Sequence, residues 1–233
     1  MRFRIYIFLF LVGFIISGLA VEKSGNAQVQ SQKPVQAETR APSLQAQADQ
    51  DLRSKQWSLM FYVGAAATQQ LGTLIRGKFN SAGETIYTAE VAYTLDINNW
   101  LRKFLSPVVD TVQLAGNITK RDARKDPDPV YEYDGYIILR WTKFPWRKYL
   151  RTSLAAGEGV SYASHVPYVE QCVNSTNSRR LLNYLMFEVT FALPKYPDVE
   201  LVGRIHHRSK AYGVFGNGNA GSNDVGVGVR YYF

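Results

Sequence analysis

An all-β fold, an eight-stranded antiparallel transmembrane β-barrel, is predicted for this chain by three observations. The final segment alternates strictly, eight segments of strand character can be counted, and their charged residues keep to one face. From Asn223 to Phe233, Val225, Val227, Val229, Tyr231 and Phe233 share one side, while Asp224, Gly226, Gly228, Arg230 and Tyr232 share the other. That is the period of a strand, with one face suited to lipid and the other to a packed interior. The mildly negative mean hydropathy is compatible, because every second residue of a barrel strand faces inward.

The segments fall at 57–68, 84–96, 109–119, 131–142, 150–161, 180–193, 199–212 and 223–233. In 180–193, Asn183, Leu185, Phe187, Val189, Phe191 and Leu193 oppose Leu182, Tyr184, Met186, Glu188, Thr190 and Ala192. In 84–96, Tyr87, Ala89, Val91, Tyr93 and Leu95 oppose Ile86, Thr88, Glu90, Ala92 and Thr94. Glu90 and Glu188 therefore face the interior, where Asp134, Arg140 and Arg204 are expected to join them in ion pairs that fill a barrel of this size. A terminal strand ending in Phe resembles the one that closes bacterial outer-membrane β-barrels, which implies the outer membrane as the location. With both ends in the periplasm, the connections 69–83, 120–130, 162–179 and 213–222 point outward, and 97–108, 143–149 and 194–198 are the periplasmic turns. Pro145, Pro194 and Pro197 lie in those turns, where a missing backbone donor is harmless. Trp57, Trp100, Trp141, Trp146 and Tyr231, near strand ends, suit interfacial girdles.

The N-terminus is consistent with export. Arg2 and Arg4 precede an apolar run from Ile5 to Ala20, and small residues follow at Gly18, Ala20, Gly25 and Ala27, the layout of a cleaved signal over residues 1–27. Residues 28–55 are rich in Gln, Ala, Ser and Pro without apolar periodicity, which predicts a polar disordered leader. Residues 56–233 make the barrel. Cys172 is the single cysteine, so no intrachain disulfide can form.

The seventh segment breaks the pattern. Leu201, Gly203, Ile205, His207, Ser209 and Ala211 share the lipid-facing parity, and Val202, Arg204, His206, Arg208 and Lys210 the inward one. His207 and Ser209 thus aim polar groups at lipid, a costly placement that points to function. Residues i and i+2 of a strand lie about 6.5 Å apart, within reach of an imidazole and a hydroxyl, and a Ser beside a His base is the minimum for acyl transfer. The strand ascends from the turn near Asp198, which puts the pair in the outer leaflet. Inward-pointing His206 is expected to be a hydrogen-bonded interior residue.

His207-Arg208-Ser209 on the penultimate strand, a Gly/Asn-rich loop and a final strand together resemble the outer-membrane lipid A 3-O-deacylase (PagL) family and its acyloxyacyl hydrolase relatives. The resemblance is confined to Glu200–Phe233, with the eight-strand organisation as support upstream. It implies that His207 acts as general base and Ser209 as nucleophile. A Glu on the last strand orients the imidazole in that family, and here Asn223 stands at its place with outward parity. Asp224 has inward parity and could serve only across a bulge. Lys210 follows the nucleophile where the family commonly has an Asn at the oxyanion site.

Removing residues 1–27 subtracts Arg2, Arg4 and Lys23 against Glu22, taking the formal net charge from +8 to +6. Arg179, Arg180, Arg208 and Lys210 are expected to form a basic outer rim suited to lipid A phosphates. No metal cluster, phosphate loop or dinucleotide fingerprint occurs in the sequence, so no cofactor or metal is implied. The expected partners are the lipid A of lipopolysaccharide and the outer membrane, and not nucleic acid. The reading is a serine esterase acting on an acyl ester of lipid A through His207, Ser209 and Asn223. The alternative is a non-enzymatic structural or adhesin-like barrel working through its outer loops.

Overall fold

The computed structural model describes residues 55–126, 128–174, 177–211, 214–215 and 220–233. The expected signal segment and the leader up to residue 54 lie outside the described residues. Eight strands follow in chain order: β1 (Trp57–Ala67), β2 (Ser81–Thr94), β3 (Thr111–Ala123), β4 (Val130–Trp141), β5 (Arg151–Ala163), β6 (Leu181–Ala192), β7 (Val199–Ser209) and β8 (Gly221–Tyr232). Each pairs antiparallel with its sequence neighbours, and β8 returns to β1 to close the barrel. Closure satisfies the backbone without leaving an edge, which is what a sheet needs in order to cross a bilayer.

Most boundaries shift by one to four residues from expectation, β2 for example beginning at Ser81 and not at 84, and two of the shifts have a clear cause. β3 continues to Ala123 because Lys120 and Arg121 still pair with Tyr131 and Val130 of β4. β7 stops at Ser209, after which Ala211 adopts a left-handed φ of 44° and turns the chain away from the ladder.

The two faces separate as the alternation predicts. Outward Phe61, Leu201, Val227 and Val229 are exposed, whereas inward Met60, Tyr62, Ile86 and Val202 are buried together. Tyr136, Ile138, Ala155, Tyr184 and Met186 form a second interior cluster. Inward glycines make room for these rings: a Cβ on Gly226 would lie 2.5 Å from Tyr62 Cδ2.

Buried ions fill the rest in two groups. In the half nearest the β7 N-terminus, Glu188 accepts from Arg140 at 2.7 Å, from Arg230 at 2.6 Å and from Arg204 Nε at 2.8 Å. Glu90 binds Arg204 and Arg230, and Glu200 binds Arg230. Carboxylates and guanidiniums are equal in number here, the condition under which a buried ionic network offsets its desolvation. In the other half, Arg121 holds Glu84, Glu132 and Asp224 at 2.7, 2.6 and 2.7 Å. Asp134 departs from the expectation, being buried without an ion pair among the described residues.

Connections at the two ends follow the expected division only in part. The connection after β5 is long and contains a π-helical turn, Val169–Val173, and the β6–β7 turn is short. The β2–β3 connection, expected to be a simple turn, carries a helix, α1 (Trp100–Leu105). Its Leu101 and Leu105 pack on Leu95, Val109 and Val112, while Trp100 and Phe104 are exposed beside Trp57, Trp146 and Tyr231 at the same end of the barrel. That end therefore carries one aromatic girdle, and Tyr87, Tyr131, Tyr133 and Tyr162 are exposed towards the other.

Candidate active site

β7 and β8 lie side by side with His207 directly opposite Asn223 and Ser209 opposite Gly221. Both strands keep their parity through the ladder, so His207, Ser209 and Asn223 have outward parity, with His207 and Ser209 half-buried and Asn223 buried. His207 Nδ1 stands 2.6 Å from Asn223 Oδ1, and Asn223 Nδ2 donates to the carbonyl oxygen of Gln69 at 2.9 Å. This second bond fixes the chemistry of the first. A carbonyl can only accept, so the amide nitrogen must face Gln69 and the amide oxygen must face the imidazole. Nδ1 therefore carries the proton, and in the neutral ring the lone pair is on Nε2.

Ser209 ends β7. Its Oγ accepts from Ala211 N at 3.3 Å, so the turn that terminates the strand aims a backbone N–H at the hydroxyl. Among the described residues the imidazole makes no hydrogen bond to Ser209. Distances of this kind commonly close only when substrate is bound.

Asp224 is excluded from the outer wall. It is fully buried, its Oδ1 and Oδ2 accept from Arg121 at 3.1 and 2.7 Å, and the β7–β8 register runs without a bulge. His206 is the interior histidine expected from its parity: Nδ1 meets Tyr62 Oη at 2.9 Å and Nε2 meets Glu132 Oε1 at 2.6 Å. Glu132, Asp134 and His206 bring potential metal ligands within 4.8 Å of one another. The 2.6 Å contact between Glu132 and His206 is a hydrogen-bond separation and leaves no space for an ion between them.

The interior braces the site from behind. Arg208, between His207 and Ser209, donates to Glu170 at 2.7 Å, Ser161 at 2.9 Å and the Arg180 carbonyl at 3.0 Å. Ser222, beside Asn223, donates to the same Glu170 oxygen at 3.0 Å. Asn174 adds a bond of 2.7 Å to the Gly221 carbonyl. The π-helical turn carrying Glu170 thus ties the inner faces of β7 and β8 together under their outer residues. This corrects the expected basic rim. Arg208 is fully buried and Lys210 nearly so, in keeping with their inward parity, and Glu170 pairs with Arg208; Arg179 and Arg180 stay exposed.

Two residues of the outer wall were not anticipated. Asn183 of β6 lies opposite Ser209, and its Nδ2 donates to the Gly159 carbonyl at 3.1 Å and to the Glu158 carboxylate. The parity of β6 already put Asn183 among Leu185, Phe187, Val189 and Phe191, and a lone amide on an apolar face was the available signal. Glu158 has the same outward parity on β5 but needed the register to bring it near. Glu158, Asn183, Ser209, His207 and Asn223 form a polar band of outward parity across β5, β6, β7 and β8.

No protein-family model and no curated protein matches the chain. Among solved structures it is similar to the outer membrane enzyme PagL, with a TM-score of 0.53 and 12% identity, covering 76% of this chain and 99% of that one. It is also similar to Neisserial surface protein A, with a TM-score of 0.43 and 16% identity over 76% of this chain and 96% of the other. For the N-terminal β-barrel domain of Pseudomonas aeruginosa OprF the TM-score is 0.40, at 11% identity over 77% of this chain and 98% of that domain. The likeness is one of fold, and it agrees with the closed register and the apolar outer wall: this chain is an eight-stranded β-barrel of the bacterial outer-membrane type.

Proposed function

We propose that this barrel is an outer-membrane serine esterase that removes an ester-linked acyl chain from lipid A. The observation that carries the reading is the hydrogen bond from His207 to Asn223, with the amide itself oriented by Gln69. It leaves Nε2 as the basic nitrogen of an imidazole held on the lipid-facing wall, one alternate residue from Ser209. The resemblance of Glu200–Phe233 to the lipid A deacylases gives the substrate class, and the likeness in fold to an outer membrane enzyme is compatible with it. Residues 1–27 then serve as the cleaved export signal and residues 28–55 as a periplasmic leader.

In the reaction, Ser209 Oγ bonds to the ester carbonyl carbon as its proton passes to His207 Nε2. Negative charge gathers on the carbonyl oxygen, for which the Ala211 N–H is a donor beside the nucleophile. The intermediate collapses by breaking the ester C–O bond, and the imidazolium returns the proton to the departing alkoxide. Water then attacks the acyl-enzyme, His207 takes its proton, and the fatty acid leaves as Ser209 recovers its hydrogen. Asn223 holds the ring but lacks the charge of a carboxylate, so the imidazolium is stabilised less than in an Asp- or Glu-supported triad.

Mass spectrometry of lipid A from cells producing the wild-type protein, Ser209→Ala or no protein tests the reading. The expected result is loss of one acyl chain with the wild type only. Identical lipid A in all three cultures would favour the non-enzymatic barrel.

A further inference from the structure

Ser209 has a different neighbour on each side. Towards β8 lies Gly221, without a side chain; towards β6 lies Asn183. Both hydrogens of the Asn183 amide are committed to β5, one to the Gly159 carbonyl and one to Glu158. The atom left to meet a ligand is Oδ1, an acceptor. It has no partner among the described residues and is not among the buried polar atoms sealed without one. Glu158 is in the same position: Oε1 takes the Asn183 hydrogen, and Oε2 is neither bonded nor sealed among the described residues. Acceptors cannot stabilise an oxyanion, so this flank has no part in bearing the negative charge of the intermediate. A carboxylate and an amide on a lipid-facing wall carry a desolvation cost that an apolar pair would avoid, and a hydrogen-bond donor from the substrate would offset it.

We infer that Asn183, held by Glu158, is a specificity-determining residue that selects esters carrying a hydrogen-bond donor, a hydroxyl or an amide N–H, next to the scissile carbonyl. The inference rests on the esterase reading above. An unpaired acceptor pair facing a ligand that lacks the donor penalises that ligand, and sites built to bond an OH or NH reject analogues without it more strongly than apolar pockets reject a change in size.

The test uses purified full-length barrel in detergent and matched glucosamine lipids bearing one O-linked acyl ester. The first has a β-hydroxyl on that chain and a neighbouring N-acyl N–H; the second lacks the hydroxyl; in the third the amide is N-methylated. The wild type is expected to show a kcat/KM at least about 10-fold higher for the first lipid than for one of the other two, and whichever is disfavoured identifies the donor. In Asn183→Leu that preference collapses to within about twofold. Glu158→Gln, which replaces the free oxygen by an NH2 group, lowers the preference without removing a charge partner from the interior. An unboiled gel shift verifies that each variant is folded, and Glu158→Gln keeps the test alive if Asn183→Leu is not. A wild type that hydrolyses none of the lipids overturns the esterase reading and this inference with it. A wild type that hydrolyses them without preference, or with a preference that a folded Asn183→Leu or Glu158→Gln retains in full, overturns this inference alone.

Discussion

Replacing Asn223 by Ala removes the side-chain acceptor that holds the His207 tautomer, and the size of the effect follows from the strength of that bond. The imidazole loses a neutral hydrogen bond of 2.6 Å, and such bonds contribute about 0.5–1.5 kcal/mol net. At 1.36 kcal/mol per decade of rate, that alone lowers kcat by about 2- to 12-fold. The freed ring can also place its lone pair on Nδ1, away from Ser209, which moves the expectation to the upper end, about 10-fold. Asn223→Glu should preserve or raise kcat, because a carboxylate makes a bond roughly twice as strong to a forming imidazolium. The gain is limited by Gln69, whose carbonyl now receives a hydrogen from Nδ2 at 2.9 Å and would face a second oxygen. The assay is ester hydrolysis by folded variants in detergent, read as kcat and KM separately. A folded Asn223→Ala that keeps kcat within about twofold of the wild type would refute the assignment of Asn223 as the residue orienting the base.

Three further outcomes are expected. Glu188→Ala leaves Arg140, Arg204 and Arg230 short of one buried carboxylate and should cost about 3–5 kcal/mol in urea unfolding from detergent; a loss below about 1 kcal/mol would contradict the interior network described here. Activity should fall on acidification as the base takes up a proton and its Nε2 lone pair is lost, so a rate that does not decline at any acid pH at which the barrel stays folded argues against a His base. Gly221 has φ 119° and a Cβ built there would lie 1.8 Å from the Arg208 carbonyl oxygen; Gly221→Ala should therefore disrupt the top of the β7–β8 ladder, and wild-type turnover in that variant would contradict the register beside Ser209.

Strand number, closure and the inward or outward sense of each side chain were legible in the sequence because a period of two leaves no choice once one face is apolar. The same parity put His207, Ser209 and Asn223 on the outer wall. What it could not supply was register. That Asn223 and not a neighbour faces His207, and that Gln69 orients it, depends on where β1 and β8 end and on a loop returning over them. Glu158 joins the site through pairing across β5, β6 and β7, a relation between residues far apart in the chain. Arg208 does not reach the outer rim because Glu170, carried into the mouth by its loop, offers it a buried partner, and nothing local in the sequence links those two residues. Helix α1 is too short, at six residues, for its i, i+4 pairs Trp100/Phe104 and Leu101/Leu105 to stand out as a helical period.

The claim that Ser209 is a nucleophile on the barrel wall is tested most directly by its covalent chemistry. Purified, folded barrel treated with a long-chain alkyl fluorophosphonate and digested for mass spectrometry should carry the phosphonyl adduct on Ser209, with labelling lost in Ser209→Ala and slowed in His207→Phe. Release of free fatty acid from lipid A by the same preparation should stop as the adduct forms. Fatty acid release that continues from a fully labelled protein, or labelling that is unchanged in a folded His207→Phe, would contradict the account.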